Sequence, residues 1–149
     1  MMNLIKVKFQ FIYEVLMHVL IPLLIGGLIY LLFRNESLIM FKWFDNLGLL
    51  EQIKELRATL NPMKSILPNW IYYSLADGLW TYAFVSAYLI YYKVDYWLLL
   101  PFLLSIGVEI LQYFQLFQGT FDVLDLLCCI VGYTLPFLFL KNFHQLNFK

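Results

Sequence analysis

The chain has 149 residues, 62% of them hydrophobic and 13% charged, with a formal net charge of zero. Soluble domains run about 45–50% apolar and about 25% charged, so this composition excludes an ordinary water-soluble globule and points to a membrane. The neutral balance leaves no basic footprint for nucleic acid. Cys128 and Cys129, adjacent and the only cysteines, exclude a disulfide framework and a zinc spacing.

The first apolar run, residues 15–33, is long enough to span a bilayer, which takes about 20 apolar residues. It is too long for a signal-peptide core, and Arg34-Asn35-Glu36 is no small-residue cleavage site, so it reads as a retained span. Glu14 and His18, one turn apart at its start, read as an interfacial pair. Residues 34–68 are a polar connection in which Leu49, Leu50, Ile53, Leu56 and Leu60 recur with helical spacing. Glu51, Lys54, Glu55 and Arg57 lie opposite, which predicts an amphipathic helix on the membrane surface or capping the bundle. Asn61-Pro62 ends it.

A second span is expected over 70–92, flanked by Trp70, Tyr72 and Tyr73 at one end and by Tyr91, Tyr92, Tyr96 and Trp97 at the other. Such aromatic clusters mark the two membrane interfaces. The short Lys93-Val94-Asp95 turn predicts an antiparallel hairpin with a third span, 97–117. A tight Gln118-Gly119-Thr120 connection leads to a fourth, 121–140, and a short polar tail carries Lys141, His144 and Lys149. The expected architecture is one all-α integral membrane domain, 1–149, with four transmembrane helices and an amphipathic helix between the first and second. Basic residues divide equally between the two faces. Lys6 and Lys8 ahead of the first span, against Arg34 after it, favour cytoplasmic termini in the cell membrane.

Asp77, Glu109, Asp122 and Asp125 lie inside or at the edge of the apolar stretches, and every Lys and Arg lies outside them. A carboxylate at mid-bilayer costs ~2.5–3.5 kcal/mol, so such residues default to functional hypotheses. The expected topology brings all four acids and Gln112 towards one membrane face, at depths of roughly 0–12 Å by helix rise. Glu109 and Gln112 share a helix face, as do Asp122 and Asp125. Asp125, Cys129, Gly132 and Pro136 form one stripe, and Asp122 is also placed to cap its helix. Clustered carboxylates need compensation, and three forms stay open. Protons shared among the acids are one, and a divalent cation on Glu109, Asp122 and Asp125 is another. A basic partner from the same face is the third, with Arg34 and Lys64 nearest. No cofactor beyond such a cation is expected. No G-x-S-x-G, H-E-x-x-H or P-loop motif is present, so an enzymatic activity is left open.

Glu109-Ile-Leu-Gln112 followed by Gly119-Thr-Phe-Asp122-Val-Leu-Asp125, with Gly132 beyond, resembles the signature of VanZ-like membrane proteins. Ser74-Leu-Ala-Asp77-Gly-Leu-Trp80 resembles an acidic motif on an earlier span of short relatives. The family Asn falls at Cys129. Its Arg is absent at the shortened turn around Thr120, which draws attention to Arg34 as a stand-in. The resemblance implies a bacterial cell-envelope protein linked to glycopeptide (teicoplanin-type) resistance, acting on a membrane lipid or lipid-linked molecule. The alternatives are a protein that binds or transports protons or divalent cations, and a structural membrane partner.

Overall fold

The computed structural model describes residues 2–36, 38–116 and 121–140, with side chains from residue 6 onward. Among them every regular element is helical. The connection expected at 118–120 and the tail with Lys141, His144 and Lys149 lie outside the described residues.

Helix α1 (Met2–Val15) continues through a π-helical turn, Leu16–Leu20, into α2 (Ile21–Phe33). The helix thus starts well before residue 15. An apolar run locates a membrane core, not a helix end, and no Gly or Pro interrupts residues 2–14. The connection 34–68 holds two helices instead of one, α3 (Ile39–Asn46) and α4 (Leu50–Leu60), followed by a 3-10 turn, Asn61–Ser65. Gly48, at φ 70°, makes the left-handed break between them. Of the expected leucine stripe only Ile53 is buried, while Leu49 and Leu56 stay exposed. Arg57 bends from α4 to the end of α2 and donates to the carbonyls of Leu31 and Arg34, both at 2.7 Å. These carbonyls close the negative end of a helix, so a cation satisfies both their hydrogen bonding and their dipole.

The expected second span is interrupted at Ser74, between α5 (Asn69–Tyr73) and α6 (Leu75–Tyr91). Asp95 closes the next turn, accepting from Trp97 N at 2.9 Å and from the Tyr88 hydroxyl at 2.5 Å. A 3-10 turn (Tyr96–Leu99) leads to α7 (Leu100–Tyr113), and α8 (Val123–Phe139) follows. Two helices, Lys6–Phe33 and Tyr96–Tyr113, are long and apolar enough to cross a membrane, and Val123–Phe139 is apolar but shorter.

Helix α6 is the axis of the bundle, and its contact with α8 is the most extensive among the described residues. Its buried face is mostly small: Ala76, Gly78, Thr81, Ala83, Ser86. Small side chains let helix backbones approach where apolar transfer cannot drive association. A Cβ on Gly78 would stand 2.7 Å from the Cys128 carbonyl oxygen, and one on Gly132 would collide with the Gly78 backbone. Apolar packing collects at two places, around Val85, Leu89, Ile90, Leu98 and Leu140, and around Ile29, Tyr72 and Ala76. The polar site adjoins the second.

Candidate functional site

Asp77 sits in the first turn of α6, facing the end of α2. It accepts from the Tyr30 hydroxyl at 3.0 Å and from Arg34 Nη2 at 3.0 Å. Arg34 leaves α2 in an extended conformation, so its side chain turns back along the helix end. It also donates to the Tyr73 carbonyl at 2.7 Å, and its guanidinium lies 4.8 Å from the Tyr30 ring centroid. Tyr30 stacks on Trp80 at 4.6 Å. Trp80 is seated over Gly26, where a Cβ would stand 2.5 Å from its indole nitrogen. One glycine therefore sets how α2 and α6 are turned towards each other, and with them the Tyr30–Arg34–Asp77 contact.

Glu109 is the one buried residue of α7, a helix whose apolar side chains largely face outward. Asp125 opens the buried stripe of α8, which continues through Cys129, Gly132 and Pro136. Glu109 is 5% exposed and Asp125 3%. Asp77, Glu109 and Asp125 each contribute an oxygen to a set lying within 4.8 Å of one another. The close α6–α8 crossing at Gly78 and Gly132 brings two of these helices together. Glu109 Oε2 and Asp125 Oδ1 are buried without a hydrogen-bond partner. Ser74, fully buried at the head of α6, turns its hydroxyl to the Asp125 carboxylate without closing a hydrogen bond. Leaving such groups unpaired costs ~1–3 kcal/mol each, more where they are charged.

The other residues singled out in the sequence sit elsewhere. Asp122 is exposed and caps α8, accepting from Leu124 N at 2.9 Å. Gln112 is half-buried, one turn beyond Glu109, and makes no side-chain hydrogen bond among the described residues. Lys64 stands 6.0 Å over the Phe33 ring and forms no ion pair with the acids. Arg34 pairs with Asp77 and not with Glu109, Asp122 or Asp125. Tyr30 carries no role in the sequence reading, and Ser74 enters it only as the first residue of the motif around Asp77. Both were within reach of it: Tyr30 precedes Arg34 by one helical turn, and Ser74 precedes Asp77 by three residues.

Asp77 and Glu109 open into a cleft of ≈ 300 Å³ between α6 and α7, lined also by Trp80, Thr81, Ser105 and Cys129. Thr81 and Ser105 hydroxyls join across it at 2.9 Å. Its remaining wall is Tyr30 together with Phe84, Leu104 and Val108, the last three exposed. On the other side of the α6–α8 contact lies a wholly apolar groove of ≈ 450 Å³, bordered by Pro22, Leu79, Leu127 and Leu135. Glu14 and His18, expected as an interfacial pair, stand 3.1 Å apart, and the π-helical turn directs His18 to the Tyr82 hydroxyl. A π-turn closes i→i+5 hydrogen bonds and so places one extra residue in that turn of the helix.

Comparison of the chain with protein-family models, with curated proteins and with solved structures returns no match.

Proposed function

We propose that this is a four-span, VanZ-like protein of the bacterial cell membrane that holds a lipid or lipid-linked molecule in the cleft between α6 and α7. The observation that carries the reading is the make-up of that cleft. Its mouth is apolar and exposed through Phe84, Leu104 and Val108, and its wall holds two carboxylates, Asp77 and Glu109. A lipid tail matches the first surface. A head group rich in hydrogen-bond donors, such as sugar hydroxyls or an amine, matches the second. Four spans are supported by α6 and α8, each of 17 residues, which rise about 25 Å against a hydrocarbon core of about 30 Å. Cytoplasmic termini turn the acidic end of the bundle outward, where envelope precursors and glycopeptides act. The resemblance in the last third of the chain adds the link to teicoplanin-type resistance.

The test joins chemistry to phenotype. A photoactivatable benzoylphenylalanine at Leu104 is expected to crosslink membrane lipid or a lipid-linked precursor in cells. Glu109→Gln and Asp125→Asn, expressed at wild-type level, are expected to lose the glycopeptide phenotype of the intact gene. Crosslinking absent at Leu104 yet present at exposed Leu138 refutes the cleft. Unchanged drug sensitivity in both variants refutes the site.

A further inference from the structure

We infer that Asp77, Glu109 and Asp125 form a binding site for one divalent cation of calcium size. The inference stands on the geometry of the cluster and does not depend on the lipid reading. Charge is the first argument. Three carboxylates meet one guanidinium, Arg34, which leaves Glu109 and Asp125 buried with no cationic partner among the described residues. The neighbouring cations are engaged elsewhere, Arg57 on backbone carbonyls and Glu36, Lys64 over Phe33. A buried charge is neutralised, paired or bound to metal, and a divalent ion supplies the missing two charges in one particle.

Unsatisfied oxygen is the second argument. Asp77 has both oxygens engaged, by Tyr30 and Arg34, which holds its carboxylate in a set orientation. Glu109 Oε2 and Asp125 Oδ1 are buried without partners. Ser74, a neutral group, is fully buried, and its hydroxyl lies beside the Asp125 carboxylate without closing a hydrogen bond. A serine hydroxyl cannot relieve carboxylate repulsion by ionising, but it is a ready neutral ligand for a hard cation. An all-oxygen set of this kind suits calcium, magnesium or manganese and not zinc or copper.

Size is the third argument. Calcium takes oxygens at about 2.3–2.6 Å, so two ligands on opposite sides of it stand up to about 5 Å apart. Magnesium takes them at about 2.0–2.1 Å, and opposite ligands stand no more than about 4 Å apart. The three carboxylate oxygens lie within 4.8 Å of one another, a spread that calcium's bonds of about 2.3–2.6 Å span with the side chains where they are. Asp77 and Glu109 also border the α6–α7 cleft.

The experiment uses the full chain in detergent, stripped with chelator, at pH 7.5. Equilibrium dialysis with radioactive calcium is expected to give one ion per chain, with magnesium competing at least tenfold more weakly. Calcium is expected to raise the Tm by several degrees in the wild type and in the surface control Glu51→Gln. Glu109→Gln and Asp125→Asn are expected to weaken binding at least tenfold. Terbium(III), a calcium surrogate, reads the position without touching the acids. Its emission should be sensitised by the Trp80–Tyr30 stack beside Asp77 and fall sharply in Trp80→Phe. No bound calcium, calcium binding undiminished in both acid variants, or terbium emission unaffected by Trp80→Phe overturns the site. Magnesium binding as tightly as calcium overturns the assignment of size. Acid variants more stable than wild type in chelator, with no calcium bound by wild type, identify shared protons as the compensation. Lipid crosslinking at Leu104 is read separately, so either result can fail without the other.

Discussion

Arg34 is shared among unequal claims. It bonds Asp77 and the Tyr73 carbonyl, covers the Tyr30 ring, and is the one cation paired with the acid cluster among the described residues. Its loss leaves three carboxyl groups together with no cation, whereas the loss of Asp77 leaves two acids and a cation. The two truncations are therefore not symmetric. Arg34→Gln is expected to cost about 1.5–3 kcal/mol, the range for hydrogen bonds to charged groups. Asp77→Asn is expected to cost clearly less, and the double variant less than the sum. Thermal and denaturant unfolding in detergent measure all three. Equal costs for the two single variants would mean that Arg34 does not balance the wider cluster. The presence of ionisable residues at these positions was legible in the sequence, since acids stand out in an apolar chain. Their pairing was not. Arg34 faced four candidate acids by topology, and which one it meets depends on how far α2 is rotated about its own axis.

Helices in this bundle meet through glycine, and the consequences are local. Gly78 and Gly132 face each other across α6 and α8, where an added methyl would push against backbone and not against a flexible side chain. Gly132→Ala is expected to cost about 1–3 kcal/mol, the usual cost of overpacking, and to weaken whatever the acid cluster binds by shifting Asp125 away from Asp77. At Gly27 and Gly107, both inside helices, an added methyl would meet nothing within 4 Å. Gly27→Ala and Gly107→Ala are expected to be neutral or to stabilise by up to about 1 kcal/mol through helix propensity. Melting temperatures of these three single variants order the sites, and a tolerant Gly132→Ala would contradict the close crossing. The stripe Asp125, Cys129, Gly132, Pro136 was readable from the 3.6-residue period. Its partner stripe on α6 was not, because small residues carry little hydrophobic signal even when they are fully buried. The π-helical turn at Leu16–Leu20 was equally silent, since an extra residue in a turn leaves no mark in composition.

For the molecule as a whole, the membrane topology carries the widest consequences. The four-span reading sets the turn at Lys93 on the side of the termini and α4 on the other. Single cysteines at Lys93 and Lys54, in a background lacking Cys128 and Cys129, test it with a membrane-impermeant maleimide. Position 54 is expected to react in intact cells, and position 93 only after permeabilisation. Labelling of both from one side would remove the four-span arrangement, and the reversed pattern would turn the acid cluster to the cytoplasm. Exposed apolar side chains along α7, α8 and the long first helix are what such an arrangement needs, because a four-span bundle would turn them to lipid.

Sequence alone determined the all-helical class, the cap at Asp122 and the acids from which the polar site is drawn. These are properties of composition and of periodicity along one helix, which neighbours in the chain impose on each other. The tertiary structure decided the rest. It divided the connection 34–68 into two helices and used Arg57 to close the end of α2. It left Asp122, Gln112 and Lys64 outside the cluster and brought Tyr30 and Ser74 into it. Periodicity tells which face of a helix is buried but not how that face is rotated or raised against its neighbour. Here those two quantities are set by where glycines allow backbones to touch, at Gly26 beneath Trp80 and at Gly78 against Gly132, and three carboxylates meet as a result.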